Sequence, residues 1–315
     1  MRLSRKFLVV VAAIGFCAPA MFARQASPSQ GSTVTVTVTA TAKDQTQPPA
    51  VPANAVVVKE DGKLSKVVSW EPVTGARAGL DLAVLIDDSV SEKASVQLKS
   101  IGGFLRTLPT DSRVAVAYAN FGAANYLQEF TTDHEKAAAA IRIPNAGPES
   151  ANGVYDSLGD LIKKWPATES RKVVLFVSDG VDVTDGVGDS DPDRSIVLKK
   201  AIESAQRSGV VVYTIYASGA GRALQNSVLV NNGQGSLRRL AAETGGDAFF
   251  AGLQTPVTFQ PFLQDVQKML GQQYMLTFVA APGDKGRYEH LKVTAEANGV
   301  ELTAPDHVYV SGGMR

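Results

Sequence analysis

Leu82-Ala83-Val84-Leu85-Ile86-Asp87-Asp88-Ser89-Val90-Ser91 is the stretch on which the reading of this chain turns. Its first five residues are apolar without interruption, the pattern of a parallel strand covered on both faces. The run then stops abruptly in carboxylates and hydroxyls spaced D-x-S-x-S. Downstream, Leu98, Ile101, Leu105 and Leu108 recur at helical spacing and predict a helix buried along one stripe. The cycle repeats: Val114-Ala115-Val116-Ala117-Tyr118 as strand, Val154, Leu158, Leu161 and Trp165 as a helix face, Val173-Val174-Leu175-Phe176-Val177 as strand. Ile196 to Arg207 then reads as helix, Val210 to Ile215 as strand, Leu237 to Thr244 as a helix stopped by Gly245-Gly246, and Ala248-Phe249-Phe250 as a last strand. Phe259, Phe262, Val266 and Leu270 line a closing helix. Such alternation predicts an α/β fold with a doubly wound, mostly parallel sheet and helices on both faces.

Outside this core the periodicity changes to two. Thr33 to Thr39 alternates, and Asp61-Gly62 between Ala55-Val56-Val57-Val58 and Val67-Val68-Ser69-Trp70 is a hairpin signal. Gln47-Pro48-Pro49-Ala50-Val51-Pro52 reads as a link between two parts. Beyond Gln273, alternation at Tyr274, Leu276, Phe278 and Ala280 is followed by strand-like Leu291 to Ala295 and Val308-Tyr309-Val310. Strands at both ends predict one small β-rich domain beside the core. The expected division is 1–20 signal peptide, 21–32 disordered leader, 33–78 N-terminal β-rich segment, 79–273 α/β domain and 274–315 C-terminal β-rich segment.

The signal peptide rests on Arg2, Arg5 and Lys6 ahead of an apolar run from Phe7 to Phe22 that ends among small residues, with cleavage expected after Ala20 and Ala23 as second choice. The run is short for a membrane span. The mature chain is therefore expected to be exported, periplasmic or extracellular, without a membrane span. Cys17, the one cysteine, lies inside this segment, which leaves no thiol nucleophile or disulfide in the mature chain. Lys+Arg and Asp+Glu are both 31, so no overall field draws the protein to nucleic acid. Function is expected in a local site.

A second segment, Ser178-Asp179-Gly180, ends the other strongly apolar strand in the same way. In an open α/β sheet, ligands sit beyond the carboxyl ends of strands where the winding reverses, so both loops are expected at one crevice. Ser hydroxyls and carboxylates facing one point suit a hard cation such as Mg²⁺ or Mn²⁺, and the absence of His and Cys disfavours Zn²⁺. These motifs resemble the metal-ion-dependent adhesion site (MIDAS) of von Willebrand factor type A (VWA) domains, and the likeness in element order runs from about Asp81 to Gln273. The resemblance implies that Ser89 and Ser91 bind the metal directly, and that Asp87 and Asp179 reach it directly or through water. The family usually adds a Thr three residues before Tyr-Asp. Here Ser150-Ala151-Asn152-Gly153-Val154-Tyr155-Asp156 places Asn152 there, a departure; its amide oxygen can ligate a hard cation, though its greater bulk would weaken binding, and Ser150 is the less favoured substitute. The whole chain is more specifically similar to exported, Acidobacteria-type proteins with a VWA-related domain, through Val58-Lys59-Glu60-Asp61-Gly62-Lys63, Leu240-Ala241-Ala242-Glu243-Thr244-Gly245-Gly246 and the strand-rich tail.

Other motifs carry weaker chemistry. Asp87-Asp88-Ser89 lacks the second Asp of an Asp-x-Asp phosphatase pattern, and Asp88 is expected at an exposed rim. Asp189-x-Asp191-x-Asp193 begins like a calcium loop, but Arg194 and Lys200 stand where Gly and Glu are required, so Ca²⁺ is the less favoured ion. The acidic loop from Asp182 to Asp193 reads as solvated, with Asp193 or Ser195 capping the next helix. His134, His290 and His307 are dispersed, and Gly219-Ala220-Gly221 reads as a turn. The ligand set is mostly neutral, which leaves a cation electrophilic and open to a carboxylate from another protein. The expected function is therefore metal-dependent protein interaction or adhesion, not catalysis. The unknown partner supplies an Asp or Glu. A scaffold with a vestigial metal site, and a metal-dependent hydrolase or phosphatase, stand as alternatives.

Overall fold

The period-two stretches form strands. In the computed structural model, which describes residues 32–42, 48, 50–74, 79–145, 153–184, 186, 190–219, 226–252 and 256–312, β1 (Thr33–Ala42) leads to β2 (Val56–Glu60) and β3 (Lys63–Pro72). The β2–β3 turn has Asp61 at φ 44° and Gly62 at φ 80°, the left-handed pair that lets a tight hairpin follow the strand twist. The signal segment, the leader up to residue 31, Ser150 and Asn152 lie outside the described residues.

The core then unfolds as β4 (Leu80–Asp87), α1 (Ser95–Thr107), β5 (Arg113–Asn120), β6 (Ala123–Thr131), α2 (His134–Ala139), α3 (Val154–Lys163), β7 (Arg171–Ser178), α4 (Ile196–Ser208), β8 (Val210–Tyr216), α5 (Ser227–Thr244), β9 (Ala248–Phe249) and α6 (Gln260–Leu270). The sheet order is β6-β5-β4-β7-β8-β9, with β6 antiparallel on the edge and the other pairs parallel. Numbered within this sheet the strands run 3-2-1-4-5-6, the doubly wound order, and the winding reverses between β4 and β7. Every residue of β4 is buried because helices cover both faces. Leu82, Val84 and Ile86 pack with Leu98, Ile101 and Leu105 of α1 and Leu263 and Val266 of α6. Ala83 and Leu85 face the other way, towards Leu158 of α3, Leu198 of α4 and Leu237 of α5.

Several elements depart from the sequence reading, among them the short helix α2 and, nearer the C-terminus, a strand over Val300–Thr303, neither of which was expected. Strand β6 was not expected, because as an antiparallel edge it is half exposed and its register is interrupted, which blurs the alternation. Helix α5 begins ten residues before Leu237, capped by Asn226, whose Oδ1 accepts from the amides of Val228 (3.0 Å) and Leu229 (3.4 Å). Gly233 and Gly235 inside it hid the helical signal.

The chain closes with β10 (Gln273–Val279), β11 (Arg287–Ala295), β12 (Val300–Thr303) and β13 (His307–Val310). With the three N-terminal strands they make one seven-stranded antiparallel sheet, ordered β12-β1-β10-β3-β2-β11-β13. Its inner face buries Val36, Val38, Trp70, Phe278, Leu291 and Val308. The Pro-rich stretch does not separate two parts, since β1 and β2 on either side belong to the same sheet, and the Val51 carbonyl accepts from Trp70 Nε1 at 2.8 Å. The antiparallel sheet meets the α/β core through polar contacts: Arg171 Nη1 of β7 donates to Gln273 Oε1 of β10 (2.5 Å), Gln273 Nε2 to the Tyr213 hydroxyl of β8 (3.2 Å) and the Tyr288 hydroxyl of β11 to the Glu203 carbonyl of α4 (3.0 Å). Burial lowers the Arg171 guanidinium to about 10. Among the described residues no helix is long and apolar enough to cross a membrane.

Candidate metal centre

Asp87 is the last residue of β4 and is fully buried. Its Oδ1 accepts from the Ser89 amide (2.9 Å) and the Ser89 hydroxyl (2.7 Å), a local turn that the D-x-S spacing builds by itself. Its Oδ2 accepts from the hydroxyl of Ser178 at 2.7 Å, and Ser178 Oγ in turn accepts from the Gly180 amide at 2.9 Å. The carboxyl ends of β4 and β7 are thus pinned together at the reversal point. Asp179, 4% exposed, accepts from the Val181 amide through Oδ1 at 2.9 Å. Its other oxygen faces Gly219, where a Cβ would lie 2.0 Å away. Gly219 also bridges to Val90, and the Ser91 amide donates to the Ser218 carbonyl at 2.9 Å, so the loops after β4 and β8 are tied to each other. From below, Gly233 of α5 packs backbone to backbone, a Cβ there falling 2.2 Å from the Asp179 carbonyl oxygen. The glycine that disguised α5 is what lets the helix approach the site.

A further carboxylate joins them. Asp182, also 4% exposed, accepts from the Gly153 amide (3.2 Å) and Thr184 hydroxyl (2.6 Å) through Oδ1, and from the Tyr155 amide (3.4 Å) through Oδ2. It therefore does not belong to a solvated acidic loop; it reaches the first turn of α3, where free amides and the helix dipole favour a negative charge. Asp88 is likewise not an exposed rim residue. It is 2% exposed and forms a two-pronged ion pair with Arg142, Nη1 to Oδ1 at 2.7 Å and Nη2 to Oδ2 at 2.9 Å. Sequence reasoning missed both because the partners lie far along the chain. The remaining expectations fall into place locally: Ser195 caps α4 through the Leu198 amide (3.3 Å), and Gly219 sits in a tight backbone approach. His134 Nε2 is 2.9 Å from the Ser112 carbonyl, just before β5 and so at the end of the sheet opposite Asp87.

The electrostatics of the cluster are unbalanced. Burial raises the Asp87 carboxyl above its ordinary value, with the Asp182 charge adding to it against the hydrogen bonds from Ser89 and Ser178. Burial first, and then the Asp87 charge, push Asp179 up to about 8. Among the described residues no Lys, Arg or His forms an ion pair with Asp87, Asp179 or Asp182. Buried carboxylates without a counter-charge are costly unless a proton or a cation joins them. The donor chemistry fits a hard divalent cation, with Asp87 and Asp179 carrying the charge and Ser89 and Ser91 offering neutral oxygens. Among the described residues no group of three or more His, Cys, Asp and Glu is placed to hold a metal by itself.

No family model matches this chain, and no curated protein matches it. Solved structures similar to it include an aerotolerance-related membrane protein from Bacteroides fragilis, 11% identical, covering 61% of this chain and 98% of that chain at a TM-score of 0.44. Another is proximal thread matrix protein 1 from the mussel byssus with a zinc-occupied MIDAS motif, 19% identical, covering 62% of this chain and 46% of that chain at 0.41. A third comprises three N-terminal domains of the type V pili tip protein Mfa5 from Porphyromonas gingivalis, 12% identical, covering 91% of this chain and 68% of that chain at 0.40. At these identities and scores no residue role is carried over from them, and the site stands on its own geometry.

Proposed function

We propose that this chain is an exported protein of VWA type that binds one divalent cation, Mg²⁺ or Mn²⁺ in preference to Ca²⁺, and uses it to hold another protein. The ligands in this reading are Asp87, Ser89, Ser91, Asn152 and Asp179. The observation that carries it is the pair of buried carboxylates, Asp87 and Asp179, that meet at the reversal of the sheet without a counter-charge among the described residues. A divalent ion supplies that charge, and the neutral hydroxyls leave it electrophilic enough to take an Asp or Glu from the partner. Phe121, just beyond the carboxyl end of β5, and Ile143, next to the Arg142 that pairs with Asp88, are 68% and 54% exposed and would give such a partner apolar contact. Catalysis is the weaker reading, since His134 sits at the far end of the sheet from Asp87 and so supplies no base to metal-bound water.

Thermal melts of the mature chain with millimolar Mg²⁺ or Mn²⁺ and with chelator test the reading. Binding to the native state alone adds about 2.7 kcal/mol at a hundred times Kd. The expected result is a metal-dependent rise in Tm that Asp87→Ala removes. Superimposable curves would instead support a scaffold with a vestigial site, and a shift restored by Asn152→Thr would locate the defect.

A further inference from the structure

Asp88 follows one proposed metal ligand directly and Asp182 lies three residues beyond the other, yet neither carboxylate is spent on the cation. Each is spent on the connection between α2 and α3. At its near end, Ile141 to Asn145 has no helix or strand of its own, but it is tied down at several points. Arg142 grips Asp88 with both Nη atoms, the Asn145 amide donates to Asp88 Oδ1 at 3.1 Å, and the guanidinium lies over the Tyr118 ring at 3.9 Å. The Tyr118 hydroxyl donates to the Arg142 carbonyl (2.6 Å) and accepts from the Arg142 amide (2.8 Å). At its far end, Asp182 holds the amides of Gly153 and Tyr155. Both anchors stand on the loops that carry Asp87 and Asp179.

We propose that Asp88 with Arg142, and Asp182, are positioning residues for the cation site: they fix Asn145 and Gly153, the two ends of this connection, against the strand ends that bear the metal ligands. The proposal rests on the metal reading above and deepens it. Arg142 neutralises the buried Asp88, but as a positive charge beside a cation site it repels the ion, so any gain it brings to metal binding comes through what it holds in place. Partners that orient metal ligands without touching the metal typically contribute 10- to 100-fold in affinity. The pairing is geometric as well as electrostatic, because a planar guanidinium can engage both carboxylate oxygens and an ammonium cannot.

The sign of the Arg142 effect separates positioning from charge. Mn²⁺ affinity of the full mature chain is read from the electron paramagnetic resonance signal of free Mn²⁺, for the wild type, Arg142→Gln and Arg142→Lys, with far-UV circular dichroism and melts in chelator to establish that each is folded. Removing a neighbouring positive charge tightens binding if charge alone matters; positioning predicts that Arg142→Gln weakens it about tenfold or more. Arg142→Lys keeps the charge and disturbs the fold least, and it too should weaken binding. Equal or tighter binding by Arg142→Gln, or unchanged binding by Arg142→Lys, overturns the proposal while leaving the metal reading intact. A wild-type chain that takes up no Mn²⁺ overturns the metal reading and this proposal with it.

Discussion

Asp81 and Asp179 are both buried at ends of adjacent β-strands of the same sheet, and the protein treats them in opposite ways. At the amino end of β4, Asp81 is met by Arg113, Nε to Oδ1 at 2.9 Å, and the indole of Trp165 also points at it. At the carboxyl end of β7, Asp179 accepts from the Val181 amide and meets the repulsion of Asp87 and Asp182, with no ion pair among the described residues. The first arrangement is complete, and the second is missing a positive charge. A fold that supplies Arg113 to Asp81 and Arg142 to Asp88 is able to neutralise buried acids. That Asp87 and Asp179 are left to each other among the described residues is the contrast on which the proposed cation site rests.

The comparison can be tested at both of its poles. Arg113→Met strands a fully buried carboxylate and is expected to have the largest effect, lowering stability by about 2–3 kcal/mol after allowance for the 35% exposure of the Arg113 side chain. Chemical denaturation reads it, with no change in the metal response. Asp179→Asn should act with the opposite sign in chelator: it removes a buried carboxyl that without a cation must either take up a proton or hold an unpaired charge, which raises the melting temperature, by roughly 1–2 kcal/mol in stability near neutral pH, and erases the rise that Mn²⁺ produces. A fall in chelator would mean that the fold favours the carboxyl at this position and would break the contrast. The smallest effect is expected at Phe121, an exposed aromatic in the left-handed region at φ 46°. Phe121→Gly relieves about 1 kcal/mol of strain and leaves Mn²⁺ affinity unchanged, while weakening capture of any partner that docks at this end. Stability and Mn²⁺ binding are measured side by side; a loss of metal affinity here would show that the site's response is not specific to its charged groups.

Legibility in the sequence followed the range of the interactions. The buried strands announced themselves because coverage on both faces forces continuous apolar runs, as in β4 and β7. Strand β6 and the first half of α5 did not, the one because an edge strand is only half buried, the other because Gly233 and Gly235 serve a close approach and not helix propensity. Within the site, the turn of Ser89 onto Asp87 is a contact between residues two apart and could be read from their spacing. Ser178 to Asp87, Arg142 to Asp88 and Asp182 to Gly153 join residues 91, 54 and 29 positions apart, and nothing local signals them.

The sequence by itself determined the alternation of strand and helix, the hairpin at Asp61-Gly62 and the residue types gathered at two strand ends, because hydrophobic periodicity, turn chemistry and capping act over a few residues. Tertiary structure alone decided that strands from both ends of the chain share one sheet, that Asp88 and Asp182 are buried anchors and not surface charges, and that Asp87 and Asp179 meet without a neutralising side chain among the described residues. The physical reason is that burial and charge balance belong to the space between segments. Whether a carboxylate is solvated, paired or left wanting a cation depends on what the fold brings to it, and its neighbours in the chain do not specify that.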